Sequence, residues 1–360
     1  MKAIFKSPGR INLIGEHTDY NGGYVLPAAI DRYTYVSVEE STRFEVYSTY
    51  FNEKKYLFLD DQREESEWLN YVKGALLYFS KRFKLRPYKI TICGDLPMGA
   101  GLSSSASLVV GIIYALSKME RVRLSRKEIA TMAHAVENEF VGVKCGIMDQ
   151  YAVAMGRKNA FMLLNAFDGS FEYITVSDFP KMTVIDSGVK HRLSSGQYNL
   201  RRKECDQVEK MMSKAFRDMT LEDVKAKKEL LGNTLYKRAL HVLLENERVL
   251  KAVKAMKIRD WKEVGKLLCE SHESLRNLFE VSTNEIDFIV EKLKGVKSVY
   301  GARMIGGGFG GSVLALSSDY LDEELRKISF EYAHKFGISM NFYHVNLSSS
   351  VRKIPRKFRA

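Results

Sequence analysis

The chain has 360 residues with 45% hydrophobic content, enough for two domains with their own cores, and 56 Lys+Arg against 44 Asp+Glu give a formal net charge of +12. The positive residues are scattered, with small clusters such as Arg201-Arg202-Lys203 and the tail over residues 352–359; a generally basic surface with no partner explains them best, and attraction of an anionic small substrate fits the balance as well as nucleic acid does. Cys93, Cys145, Cys205 and Cys269 lack CxxC spacing, MKAIFKSPGR lacks the apolar core of a secretion signal, and the longest apolar run, residues 108–116, is too short for a bilayer, so the expectation is a cytoplasmic protein with reduced thiols and no membrane contact.

The first segment, AIFKSPGRINLIGEHTDYNGGYVLPAAI, mixes core residues (Ile11, Leu13, Ile14) with a crowd of polar ones: Arg10, Asn12, Glu16, His17, Thr18 and Asp19. Carboxylates accept several hydrogen bonds each, so a polar cluster between an apolar strand and a glycine-bent loop suits a site that grips hydroxyls; a solvated hairpin loop is the plain alternative. Residues 33–39 and 44–48 alternate like strands. Residues 66–83 then have helical spacing, with Trp68 and Tyr71 near the start, where they could flank a flat base or simply join the core.

Residues 88–93 (YKITIC) read as a strand and those after Ser104 as a buried helix, with the glycine turn Gly99-Ala100-Gly101 between them. A strand, a glycine turn and a helix start leave unpaired N–H groups at the positive end of a helix dipole, a site for phosphate. Ser103, Ser104 and Ser105 add small hydroxyls, one of which can ligate magnesium. No GK[ST] follows the glycines, so the charge of bound phosphates must be met by a metal or by a residue from elsewhere.

Residues 125–141 carry a second helix pattern, with Ser125 and Glu128 spaced as a capping box and Glu137 near the end. In the GVKCGIMDQYAVAMG segment that follows, Asp149 sits among apolar and glycine neighbours, where a carboxylate needs a partner or a task. Short strands return over residues 160–176 and 181–187, and Phe179-Pro180 marks a border between halves 1–180 and 181–360. Helical patterns dominate residues 200–294, and a strand then leads into GGGFGG at residues 306–311, whose five glycines imply close approach of backbone to a ligand or to the opposing domain.

Three motifs in fixed order, PGRINLIGEHTDYNGG from Pro8, GAGLSSSAS from Gly99 and GGGFGG from Gly306, resemble the galactokinases within the GHMP small-molecule kinases, which include homoserine, mevalonate and phosphomevalonate kinases. ENEFVGVKCGIMDQ, VKHRLSSGQYNLRRKEC and SHESLRNLFEVSTNEID extend the resemblance over nearly the whole chain. It implies an α+β fold of two domains, an N-terminal mixed α/β domain like ribosomal protein S5 domain 2 and a C-terminal ferredoxin-like α+β domain, with the active site between them. It also implies a galactose-metabolising kinase that phosphorylates the anomeric hydroxyl with ATP and Mg2+, its partners being galactose and ATP, with the oligomeric state open and a monomer included.

Carried over by position, Asp149 resembles the catalytic carboxylate, as base or as orienting group, and Arg10 the cation beside it. Glu16, His17, Thr18, Asp19, Gly146 and Tyr198 resemble the sugar site, with Asp19 expected to test the axial hydroxyl that distinguishes galactose from glucose. Gly99, Ala100, Gly101, Leu102, Ser103, Ser104 and Ser105 resemble the triphosphate loop, Ser48, Trp68 and Tyr71 nucleotide contacts, and Ser105 and Glu137 the magnesium ligands. Ser7 stands where alanine is usual, and NLSSSVRKI lacks the usual glycine-alanine pair, which leaves the contacts of the last strand open. The alternatives are a kinase for N-acetylgalactosamine or another galactose-like sugar, and a non-catalytic galactose and ATP sensor, against which the intact GLSSSAS argues.

Overall fold

A computed structural model describes residues 2–189 and 194–355; Lys190, His191, Arg192 and Leu193 of the VKHRLSSGQY segment and the end of the basic tail, residues 356–360, lie outside the described residues. The first half runs β1 (Lys2–Asn12), β2 (Tyr24–Val25), β3 (Pro27–Glu40), β4 (Glu45–Ser48), β5 (Glu53–Tyr56), α1 (Glu67–Ser80), β6 (Tyr88–Gly94), α2 (Ser104–Met119), α3 (Arg126–Ala135), α4 (Met148–Met155), β7 (Ala160–Asn165) and β8 (Ser170–Thr175). The second half follows with β9 (Lys181–Asp186), α5 (Ser194–Met212), α6 (Leu221–Ala226), α7 (Lys228–Lys257), α8 (Trp261–Ser274), α9 (Asn284–Lys294), β10 (Val299–Ile305), β11 (Ser312–Ser317), α10 (Asp322–Phe336), β12 (Asn341–Val345) and β13 (Arg352–Ile354).

The strands form a six-stranded sheet in the order β13-β1-β3-β6-β4-β5, an antiparallel four-stranded sheet β10-β11-β9-β12, and a small sheet β2-β7-β8. On the first sheet, Phe5, Val36, Val38, Ile90 and Ile92 pack with α1, α2 and α3 into one core. Helix α2 is buried along most of its length, which is why its sequence lacks a polar face.

In the second sheet the two-residue period of a strand divides the apolar residues between two cores. Ile185, Val313 and Ala315 face a C-terminal core with Phe279, Ile289 and Tyr332, whereas Val184, Leu314 and Leu316 face Ile11, Leu13, Leu26, Leu102 and Val249 of a seam joining the halves. Burial on both faces explains why SVLALS reads as a continuous run rather than an alternating one. Each large aliphatic side chain buried there contributes about 1.5–3 kcal/mol.

The chain passes between halves beside Phe179-Pro180 and returns through residues 345–347, and the two crossings flank one cleft. After the return, β13 pairs with β1, Ile354 opposite Ile4, so the last strand completes the N-terminal sheet. The segment before it is tied by Ser348 N to Ala29 O (2.7 Å) and Ser350 N to Gly156 O (2.7 Å).

Two local features differ from the sequence pattern or refine it. The capping box forms, with Glu128 N donating to Ser125 Oγ (3.1 Å) and Ser125 N to Glu128 Oε2 (2.8 Å), but the α-helix ends at Ala135 and residues Val136–Val141 widen into a π-helical turn. The ladder between β1 and β3 shifts register between Pro8 and Arg10, where β3 advances four residues, from Tyr33 to Ala29, against two on β1.

Candidate active site

Between β6 and α2, the side chains of Ala100 and Leu102 turn into the seam core. The carbonyls of the loop are engaged inward: Ala100 O accepts from Ser312 Oγ (2.8 Å), Gly101 O from Arg10 Nη1 (2.6 Å) and Leu102 O from Arg10 N (3.1 Å). The loop therefore presents amides and serine hydroxyls outward at the start of α2, where the helix dipole favours an anion. Gly101 adopts φ +68°, and a Cβ there would lie 3.1 Å from Ile305 O, because Gly306 of the GGGFGG segment packs against it. The glycine-rich segment thus lets the second half approach the residues 99–105 loop backbone to backbone.

Asp149 lies in the first turn of α4 and is gripped by the Arg10 fork, Nε to Oδ1 at 2.6 Å and Nη2 to Oδ2 at 2.9 Å, while the Ser103 hydroxyl donates to Oδ2. Burial alone would lower the Arg10 pKa, but the charge and hydrogen bonds of Asp149, with Glu16 and Asp19 further off, carry it above its ordinary value. Bidentate pairing fixes both position and orientation of the carboxylate and leaves lone pairs for a ligand hydroxyl.

The π-helical turn brings Glu137 against the serine loop: Ser105 Oγ donates to Oε2 (3.0 Å) and Gln150 Nε2 to Oε1 (2.8 Å). Burial, reinforced by Asp149, pushes the Glu137 carboxyl up to about 7. A cation bound beside it would favour the ionised form that burial opposes. Among the described residues there is no cluster of three or more His, Cys, Asp or Glu able to cage a metal, and Mg2+ does not need one, since it binds through one or two protein oxygens together with phosphate oxygens and water. The Ser105 and Glu137 pair fits that donor set.

A cavity of about 360 Å³ is lined by Arg10, Glu16, His17, Asp19, Ser105, Glu137, Gly146, Asp149, Tyr198 and Gly306–Gly308. Its volume suits a small ligand. His17 has φ +63° and its Nδ1 meets Tyr20 Oη at 2.8 Å; burial, then His241 and Arg201, lower its pKa to about 3, so the ring is neutral. Its ring lies 4.6 Å from Phe279 and 5.5 Å from Tyr198, which anchors the start of α5 to the loop. Asp19 faces Gly146, where a Cβ would stand 2.0 Å from its Oδ2. Burial first, then the charge of Asp149, raises the Asp19 carboxyl to about 7.

Thr18 does not line this cavity. Its hydroxyl is engaged by Gly15 O (2.8 Å) and Tyr24 O (2.7 Å), so it braces the turn rather than facing a ligand. Ala100 and Leu102 likewise offer backbone only, their side chains being core.

A second cavity, of about 690 Å³, is lined by Ser48, Phe51, Trp68, Tyr71, Met98, Gly99, Ser104 and Ser105. Glu67, Tyr71 and Ser105 line both cavities. Phe51 stacks on Trp68 at 5.2 Å and 15°, and Trp68 Nε1 donates to Glu53 Oε2 (2.8 Å). Ser48 Oγ is buried without a hydrogen-bond partner among the described residues, as a wall awaiting a polar ligand would be.

Sequence reasoning does not single out Gln150, Phe51 or Arg303. Arg303 carries a usable signal, a charged residue inside an otherwise apolar strand pattern, which demands a buried partner. Phe51 has none, since its stacking on Trp68 depends on how β4 and β5 pack beside α1.

Fold and cleft together define a small-molecule kinase: residues 70–157 match the model of the GHMP kinases N terminal domain and residues 250–334 that of the GHMP kinases C terminal. Residues 1–40 match the galactokinase galactose-binding signature. The chain is 46% identical over 353 residues to the galactokinase of Thermotoga petrophila (97% of this chain, 99% of that one). To the galactokinase of Pyrococcus furiosus it is 39% identical over 357 residues, with the same shares. The crystal structure of Lactococcus lactis galactokinase complexed with galactose superposes with a TM-score of 0.92 at 32% identity, covering 98% of this chain and 95% of that one. A mevalonate kinase at 20% identity and TM-score 0.68 shares the fold. The chain belongs to the galactokinase family of the GHMP kinases, and ATP as phosphoryl donor follows from that membership. Among the described residues no helix is long and apolar enough to cross a membrane.

Proposed function

We infer that the protein is an ATP:sugar 1-phosphotransferase that transfers the γ-phosphoryl group of ATP to the anomeric hydroxyl of D-galactose, giving galactose 1-phosphate and ADP, the entry step of galactose breakdown. One observation carries the reading: the Arg10-held Asp149, the residues 16–19 loop and the Ser105 and Glu137 pair line one cavity. The aromatic cavity beside it, with Trp68 stacked on Phe51, suits the adenine end of the nucleotide.

In this reading the triphosphate lies along the amides of residues 99–105. Asp149 orients the anomeric hydroxyl toward the γ-phosphorus and receives its proton as the new O–P bond forms and the bond to the ADP oxygen breaks. Arg10 keeps Asp149 in place and stabilises charge building on the phosphoryl oxygens, which is most of what a loose phosphoryl-transfer transition state asks of the protein. A magnesium ion held by Ser105 and Glu137 would neutralise phosphate charge. Asp19 meets the axial hydroxyl at C4, and a pocket built for that hydroxyl keeps unpaired polar groups when glucose enters.

A panel of monosaccharides with ATP and Mg2+, read by ADP release, tests the proposal. Galactose should be turned over far better than glucose or N-acetylgalactosamine. Comparable turnover of glucose, or a preference for the acetamido sugar, overturns the assignment.

A further inference from the structure

Beneath the residues 16–19 loop lies Arg303, fully buried in β10 of the second sheet, yet its guanidinium crosses the seam to the other half. Nε donates to Leu13 O (2.8 Å), Nη2 to Asn12 O (2.7 Å) and to Glu16 Oε1 (3.0 Å), and Nη1 turns back to Met304 O (3.0 Å). The Gly306 amide donates to the same Glu16 oxygen (2.9 Å). One oxygen of Glu16 is thus held twice by the second half, and Oε2 is the one left for a ligand in the cavity that Glu16 lines. The neighbouring backbone is pinned from the same side: Gly15 N donates to Glu245 Oε1 (2.9 Å), and His241 Nε2 meets Glu16 O at 3.1 Å. Arg248 and Ser271 hold Glu245, whose carboxyl is driven down to about 2 by Arg248 and its neighbours against the upward push of burial.

We propose that Arg303 is a positioning residue for sugar recognition, acting through Glu16: it selects the Glu16 oxygen that faces the cleft and fixes the height at which the residues 15–19 segment stands. The proposal rests on the reading that this cleft binds galactose. A planar fork can hold Asn12 O, Leu13 O and Glu16 at once, whereas an ammonium cannot reach all three in the same geometry. Arg303 does not line the nucleotide cavity, so the loss should fall on the sugar more than on ATP.

The test is a double-mutant cycle of Arg303→Lys and Glu16→Gln, reading KM for sugar and for ATP separately, with melting temperatures alongside. Glu16→Gln keeps an oxygen for Arg303 and Gly306 but removes the charge presented to the sugar. Arg303→Lys should raise the galactose KM by about tenfold with the ATP KM within about twofold of wild type. In the Glu16→Gln background it should add little, since both act through one carboxylate. A fall in melting temperature with an unchanged galactose KM, or fully additive KM effects, overturns the proposal. Should the lysine variant fail to fold, Arg303→Gln, which keeps two donors, takes its place in the cycle. The wild type is run on the sugar panel first: preference for another sugar sinks the galactose reading alone, and the cycle is then read on that sugar.

Discussion

Gly146→Ala isolates the contact that sets the height of Asp19. The φ of Gly146 lies outside the left-handed region, so the backbone tolerates alanine; what opposes it is Asp19, with Oδ2 at 2.0 Å, Cγ at 2.3 Å and Cβ at 2.9 Å from the new methyl carbon. To regain an ordinary contact of 3.4 Å, the carboxylate has to retreat by about 1.4 Å. A misplacement of about 1 Å in a positioning group costs on the order of 100-fold, or about 2.7 kcal/mol of transition-state binding. Galactose kcat/KM should therefore fall by about two orders of magnitude, and glucose, which lacks the axial hydroxyl, should lose much less, so that discrimination between the epimers shrinks. The ATP KM should stay within about twofold, because Gly146 does not line the nucleotide cavity. The assay is ADP release with each sugar, with circular dichroism to establish folding. A folded variant that keeps galactose kcat/KM within about threefold of wild type and discriminates as before would refute the reasoning.

Asp149→Asn should lower kcat by about 10²–10⁴ while calorimetry still detects galactose binding; a variant that keeps most of its rate removes Asp149 from the chemistry. Glu137→Gln retains hydrogen-bonding groups for Ser105 and Gln150 but not the charge, so the Mg2+ concentration for half-maximal rate should rise, and an unchanged titration counts against this ligand. Asp19 sits at about 7 in the free protein, above the ordinary carboxylate range, so its native form holds a proton that the unfolded chain has released between about pH 4 and 7. The stability cost of that ionisation is absent below pH 4 and grows as pH rises to 7. Sugar hydroxyls favour the anion, so the galactose KM should fall as pH rises from 6 to 8, and galactose should raise the melting temperature more at pH 8 than at pH 6; a flat KM over this range disproves the coupling.

Much of the site is legible in sequence where the chemistry is local. The glycine turn and serines before α2, the Ser125–Glu128 cap and the isolated Asp149 each declare themselves within a few residues. The π-helical turn at Val136–Val141 is not legible, because an extra residue per turn leaves no mark in an apolar pattern that already reads as a helix. Thr18 reads like its neighbours Glu16, His17 and Asp19, and only the folded turn decides that its hydroxyl points to Gly15 and Tyr24 rather than into the cleft. The tie from Arg303 to Glu16 spans 287 positions, so no window along the chain contains both partners. The six-stranded sheet hides a similar surprise, since β13 lies some 350 residues from β1, beside which it pairs.

The two crossings between the halves, beside Phe179-Pro180 and at residues 345–347, run next to each other instead of at opposite ends of the interface. Two adjacent covalent straps act as the spine of a book: the covers can swing about that line, but sliding or twisting one against the other strains both straps together. Any turning of one half against the other about that line would carry Tyr198 and the segment over residues 305–311 toward or away from a nucleotide and sugar pocket whose other walls all belong to the first half and so stay in register.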